Sequence, residues 1–357
     1  MLARGDRGAE PRVAAADHEH VVNSRFVEHG EARPMEGTIR FLGAAALAAF
    51  AATADAQPHF PTRPVTLTVG FAPGGGTDTA ARIVAKKLSE AIGQPVVVEN
   101  RAGASGNIAA QHIAGAPPDG YTIHLGAVGS LAVAPHIVKD LPYDPKRDIA
   151  PITMGVVFPN VFVIHPGVPA KTLAQFVALA RQKPGSLNCG SSGVGGAGHL
   201  AIELFKERAG INVVHIPYKG GGPAMTDILG GRIDMYVGVP STVGPHVEAG
   251  KLIALATTGL KRTAMMPNVP TMAESGYPDF EALNWYAFVA PGKTPKDIID
   301  FWNRELVKAL KDPQVAAELA KHGLEPAPGS PEELSRYMER ESEKWGKVVR
   351  EAKITAE

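Results

Sequence analysis

The chain has 357 residues, 36 basic and 36 acidic side chains, a formal net charge of zero and 45% hydrophobic residues. That length allows two domains with full cores. No basic excess points to nucleic acid, no acidic tail points to disorder, and the hydrophobic share is that of a packed globule.

Met35 opens "MEGTIRFLGAAALAAFAATADAQ". Arg40 supplies a positive charge, Phe41 to Thr53 form an apolar run too short to span a bilayer, and Ala54-Asp55-Ala56 is a small-x-small cleavage site. Residues 35–56 therefore read as a cleavable signal peptide, with cleavage near Ala56 and a periplasmic destination. Residues 1–34 are polar and aperiodic, and are expected to be a non-native extension. Cys189 is the sole cysteine, so no intramolecular disulfide forms, and it reads as a small buried residue.

The mature chain alternates strands and helices. "VTLTVGFAP" (65–73) is a buried strand, followed by "GGG" and a helix whose stripe is Ile83, Val84, Leu88 and Ile92. Thr77 or Asp78 is expected to cap that helix, and Gly93 to stop it. Strands follow at 95–100 and 121–128, separated by the Gly-rich "RAGASGNIAAQHIAGA". This order implies parallel strands with right-handed crossovers.

The pattern then repeats. Strands are expected at 160–166, 212–218, 233–241 and 252–259, "LNCGSS" (187–192) enters a glycine loop, and helices are expected in "TLAQFVALARQKPG", "HLAIELFKERAG" and "GGGPAMTDILGGR". "NWYAFVAPGKTP" returns toward the first half, and amphipathic helices at 296–310 and 331–352 close the chain. Several glycine-rich strand-to-helix junctions thus fall in two successive α/β halves. Ligands of open parallel sheets bind at the carboxyl ends of the strands, which makes an interdomain cleft the expected site.

"NCGSSGVGGAGHLAIELFK" (188–206) asks what sits at the mouth of its helix. Gly193 to Gly198 has phosphate-loop spacing, but His199 and Leu200 replace the lysine and the metal-binding hydroxyl. Gly74 and Gly76 begin a dinucleotide fingerprint that fails at Thr79. Gly190-Ser191-Ser192-Gly193-Val194 lacks the last glycine of a nucleophile elbow. The twelve histidines are scattered without metal-ligand spacing, so neither metal nor cofactor is expected. What remains is passive anion capture. A helix N-terminus offers free N–H groups and a partial positive charge, glycines allow close approach, and hydroxyls add donors. Gly74 to Asp78 and Ser191 to His199 both have this character.

The segments "RPVTLTVGFAPGGGTDTAAR", "VVVENRAGASGN", "PPDGYTIHLG", "LPYDPKRD", "GHLAIELFK", "HIPYKGGGPAMTDILGGRID" and "NVPTMAESGYPDFEALNWYAFVAPGKTP" carry a resemblance. In this order they resemble the extracytoplasmic receptors of the tripartite tricarboxylate transporter class, the TctC-like Bug family. The resemblance implies a two-domain periplasmic-binding-protein fold, type II-like, each lobe a mainly parallel sheet flanked by helices with the ligand cleft between them. It implies a non-enzymatic receptor that hands a small carboxylate to one large and one small membrane subunit. A sensory receptor for a membrane kinase and, further off, a hydrolase are the alternatives. A monomer is expected, with no nucleic-acid partner.

Residue by residue, the resemblance places Phe71, Ala72, Gly74, Gly75, Thr77 and Asp78 of the first loop at the ligand. From the other lobe it places Ser191, Ser192, Gly193, Gly196, Gly198 and His199, with Ser130 lining the cleft. Asp78 suits a cap better than an anion contact, since like charges repel. His199 either donates to the ligand or orients its loop. Relatives often carry Asn-Pro where this chain has Ala134-Pro135, so no polar contact is expected there. Trp285 and Tyr286 either report closure or pack. Lobe 1 is expected at 57–160 plus 283–357 and lobe 2 at 161–282, hinged near Val161–His165 and Asn284–Val289. No arginine lies in either glycine loop, which favours a mono- or dicarboxylate over citrate.

Overall fold

A computed structural model describes residues 60–355. The signal peptide and the expected extension at 1–34 lie outside the described residues.

The first elements are β1 (Val65–Val69), α1 (Gly76–Ile92), β2 (Val96–Asn100), α2 (Asn107–Ala114) and β3 (Thr122–Ala127). A π-helical turn at Gly129–Val133 and the short helix α3 (Ala134–Ile137) lead to β4 (Ile149–Pro159). Then come β5 (Val161–Ile164), α4 (Leu173–Gln182), β6 (Asn188–Ser191), α5 (Ala197–Ala209), β7 (Val214–Pro217) and α6 (Gly221–Leu229). The chain continues through β8 (Met235–Gly238), α7 (Pro240–Glu248), β9 (Ile253–Thr257) and β10 (Leu283–Pro291). It finishes with α8 (Lys296–Lys311), α9 (Pro313–Ala320), β11 (Glu325–Pro326) and α10 (Pro331–Ala352).

Local chemistry sets the helix ends. Gly93 adopts φ 68° and returns its N–H to Ser89, ending α1. Thr172 caps α4 by accepting from Gln175 N–H at 3.2 Å. Ser330 and Glu333 form a capping box at the start of α10, with Pro331 at the first helical position. Along α10, Leu334, Met338, Trp345 and Val349 recur at helical spacing and are buried. Each contributes roughly 1.5–3 kcal/mol on leaving water. The expected cap of α1 needs correction: Gly75 is the N-cap, while Thr77 and Asp78 lie in the first turn.

The strands form two sheets. The first has the order β11-β4-β10-β3-β1-β2 and the second β7-β6-β8-β5-β9. β2, β1 and β3 pair parallel, as do β7, β6 and β8. The returning strand β10 runs antiparallel between β3 and β4, and β5 runs antiparallel between β8 and β9. Each sheet is therefore mixed: β5 alone runs against the rest of the second sheet, and β10 with the edge strand β11 runs against the rest of the first.

β4 ends in the first sheet at Pro159, and β5 opens in the second at Val161, so the chain crosses at Asn160. It returns between Thr257 and Leu283. The expected hinge positions fall inside β5 and β10, because those strands start beyond the crossings. The two crossings are stitched together. Asn160 N–H donates to Thr258 Oγ1 at 2.8 Å, Thr258 Oγ1 donates to Ala282 O at 2.7 Å, and Thr258 N–H donates to Asn160 O at 3.0 Å.

Candidate functional site

The first loop follows β1. Ala72, Pro73 and Gly74 are exposed, Phe71 and Gly75 are partly buried, and Thr77 and Asp78 are buried. Asp78 turns away from the loop mouth. Its Oδ2 accepts from Gly74 N–H at 3.0 Å and from Arg82 Nε at 3.0 Å, and its Oδ1 accepts from Asn100 Nδ2 at 2.9 Å. Asn100 also donates to Phe71 O at 3.0 Å. Burial alone would raise the Asp78 pKa, but Arg82, Gly74 N–H and Asn100 together hold it below the usual value. Asp78 thus fixes the loop from behind, and its spent lone pairs and charge make it unfit to meet an anion. The mouth of α1 keeps the free N–H groups of a first turn, with the Tyr286 hydroxyl beside Thr77. A Cβ on Gly76 would lie 3.1 Å from that hydroxyl.

Ser130 is fully buried and donates to Ala127 O at 3.3 Å, and its hydroxyl lies against Gly106. Phe71 packs on the same glycine. Gly70 approaches so closely that its Cβ would stand 2.6 Å from Gly106 Cα.

The second loop follows β6, and its donors are mostly spent within the chain. Gly193 N–H donates to Ser191 Oγ at 3.3 Å, Gly195 N–H to His199 Nδ1 at 3.1 Å, and Gly196 N–H to Gly193 O at 3.4 Å. His199 therefore orients the loop. It is buried, stacks on His215 at 3.7 Å between centroids, and stands 3.7 Å from Glu203 Oε1. Ser191 is fully buried and lies 2.7 Å from His215 Nε2. Ser192 is partly buried, and its carbonyl takes Gly220 N–H at 3.1 Å. Gly198 lies beneath the loop, where a Cβ would stand 2.9 Å from Val237 O.

The Ser191–His215 contact has the spacing of a nucleophile and its base, but not their chemistry. Ser191 has no surface for a substrate, and burial, reinforced by stacked His199, pushes His215 down to about 3. Such an imidazole is a poor proton acceptor at neutral pH. Burial likewise raises the Cys189 thiol far above its ordinary value and leaves it protonated.

The two sheets' loops touch. Ser105 Oγ donates to Val194 O at 2.8 Å, and a Cβ on Gly129 would lie 3.4 Å from Gly195 O. Gly195 has φ 71°, in the left-handed region that favours glycine, and lies against Ile137. Depressions of about 480 Å³ beside Lys171 and about 410 Å³ beside Arg147 share no residue with these loops.

A helix mouth thus follows β1, and the glycine loop that follows β6 touches the loops of the first sheet. Residues 80–354 match the tripartite tricarboxylate transporter family receptor model, TctC. The chain belongs to this family. TctC relatives include protein BugT of Bordetella pertussis, 38% identical over 307 residues, covering 86% of this chain and 94% of BugT. A solved R. palustris protein with adipate is 38% identical, has a TM-score of 0.79 and aligns over 83% of this chain and 99% of its own. MatC from Rhodopseudomonas palustris, solved with malate, is 30% identical with a TM-score of 0.75, covering 81% and 100%. TctC proteins are solute-binding receptors rather than enzymes.

Sequence reasoning passed over Asn100, Arg82, Ser105 and His215. Asn100 and Arg82 are legible in hindsight as the polar partners a buried Asp78 requires.

Proposed function

We propose that this TctC-family chain is an exported receptor that captures a small dicarboxylate between two lobes, 57–160 plus 283–357 and 161–282. It then delivers the ligand to a tripartite membrane transporter. The mouth of α1 carries the reading. Its carboxylate is turned back onto Arg82 and Asn100, and neutral donors remain at its opening. The adipate and malate held by the two R. palustris relatives support the ligand class. Ligand binding shifts the protein toward a closed form by binding that form better. The closed surface is what the membrane subunits recognise, and residues 35–56 direct the chain to the periplasm.

A thermal-shift screen of ligand-stripped protein tests this, with C4–C6 dicarboxylates, citrate, amino acids, aromatic acids, sugars and amines. A ligand at 100 times its Kd adds about 2.7 kcal/mol of stability. The expected result is stabilisation by a dicarboxylate and none by its diamide. A shift from sugars or amines alone would overturn the proposal.

A further inference from the structure

The turn after β2 runs left-handed. Gly103, Ala104, Ser105 and Gly106 all have positive φ, at 142°, 46°, 54° and 95°. Residues with a side chain rarely enter that region, and two of them stand here side by side. Such a turn persists only where its surroundings over-determine it. Here those surroundings belong to the first sheet and its loops. Arg101 N–H donates to Val69 O at 2.8 Å just before the turn, and Gly106 N–H closes it on Gly103 O at 2.9 Å. Gly106 packs against Gly70, Phe71 and Ser130, and Ile108 lies against Gly103.

The turn aims one polar group at the second sheet. Ser105 Oγ donates to Val194 O at 2.8 Å. The N–H groups of Gly193, Gly195 and Gly196 are spent on their own chain, so the second loop meets Ser105 with a carbonyl. Glycines bring the two loops together. A Cβ on Gly193 would stand 2.7 Å from Ser105 Oγ, and one on Gly129 would stand 3.2 Å from Ser105 O and 3.4 Å from Gly195 O. A side chain at Gly193 would displace the hydroxyl, and one at Gly129 would crowd both loops. The chain itself joins the sheets at Asn160 and Thr258 in any arrangement of the lobes. The Ser105–Val194 bond joins segments remote from those crossings in sequence, and it exists only while the loops meet.

We propose that Ser105 is a closure latch. The left-handed turn holds its hydroxyl ready, the hydroxyl bonds Val194 O when the lobes close, and the bond breaks when they part. This rests on the two-lobe receptor reading and names a contact that stabilises the closed form without touching the ligand. A donor already fixed in place loses little freedom on closing. Because the bond runs from protein to protein, it strengthens the binding of every ligand by one common factor.

The test is calorimetric titration of succinate, malate, glutarate and adipate into wild type, S105A and S105G, with melting temperatures of the ligand-free proteins. Alanine removes the hydroxyl. Glycine removes it too and adopts positive φ without strain, so a folding defect does not explain a loss seen in both. Both variants are expected to weaken every acid that wild type binds by the same factor, about fivefold, with the ligand-free melting temperature retained. Unchanged affinity in S105A and S105G overturns the latch and leaves the receptor reading standing. A loss that differs from acid to acid assigns the hydroxyl to the ligand and overturns the latch. A lowered ligand-free melting temperature in both variants assigns Ser105 to the fold and also overturns it. If wild type binds none of the acids, the receptor reading falls and the latch falls with it.

Discussion

Asp78 shows how a residue's chemistry is decided by its partners. Alone, a carboxylate beside a glycine loop repels the anion the loop is suited to hold. Here Arg82 neutralises it and Gly74 N–H ties it to the loop it supports. Asp78→Asn keeps most of the shape, removes the charge, and turns one acceptor into a donor facing Arg82 or Gly74 N–H. Arg82 is half exposed, which screens the pair. The expected cost is about 1–2 kcal/mol, read from urea unfolding, together with weaker ligand binding as the loop loosens. Unchanged stability and unchanged affinity would show that the loop holds its form without the ion pair. The sequence marks Asp78 as a cap candidate; only the fold shows that its partners are Asn100, from the next strand, and a glycine N–H four residues back.

At the scale of elements, the strands flanked by glycine loops are readable, as is β5, but β4 is not. β4 is the longest strand, yet "IAPITMGVVFP" contains Pro151 and Gly155 and has no alternation. Proline cannot donate to a ladder, and it is tolerated here because the pairing with β10 slips between Phe288 and Val289, beside it. α7 begins at Pro240 and contains Pro245, so propensity argues against a helix that packing imposes. The crossings between sheets are a second such element. Thr258→Val would strand Asn160 N–H in a buried site, while Ala282 O keeps the Asn160 side-chain amide at 3.4 Å. An orphaned N–H costs about 1–3 kcal/mol, and a loss of that size is expected in denaturant unfolding. A loss under 1 kcal/mol would mean that water replaces the hydroxyl and the crossings open easily.

For the whole molecule, stability depends on pH through buried imidazoles. Burial lowers His124 to about 4, and burial with stacked His199 lowers His215 to about 3, both from 6.5. The unfolded chain takes up these protons first as pH falls. Stability is therefore full above pH 6.5 and declines through the window down to about 4 for His124 and 3 for His215. His124 alone accounts for about 3 kcal/mol by pH 4. Melting temperature should be flat from pH 8 to 7 and fall below that, with a shallower fall in His215→Gln. A melting temperature that rises on acidification from pH 6.5 to 4 would contradict this.

The sequence by itself determined the order of strands and helices around the glycine loops, the absence of a disulfide, and the TctC resemblance. Those are local or cumulative properties: periodicity, turn chemistry and residue count act over a few positions or over the whole composition. Tertiary structure decided which donors are free. Ser191 and His199 carry ligand-like chemistry in a ligand-like loop, yet His215, 24 residues from Ser191, accounts for one and Gly195 for the other. Tyr286, which the sequence leaves between reporting closure and packing, has its hydroxyl at the mouth of α1 beside Gly76 and Thr77. A hydrogen bond is local in space rather than along the chain, so only the folded structure shows which donors are already spent.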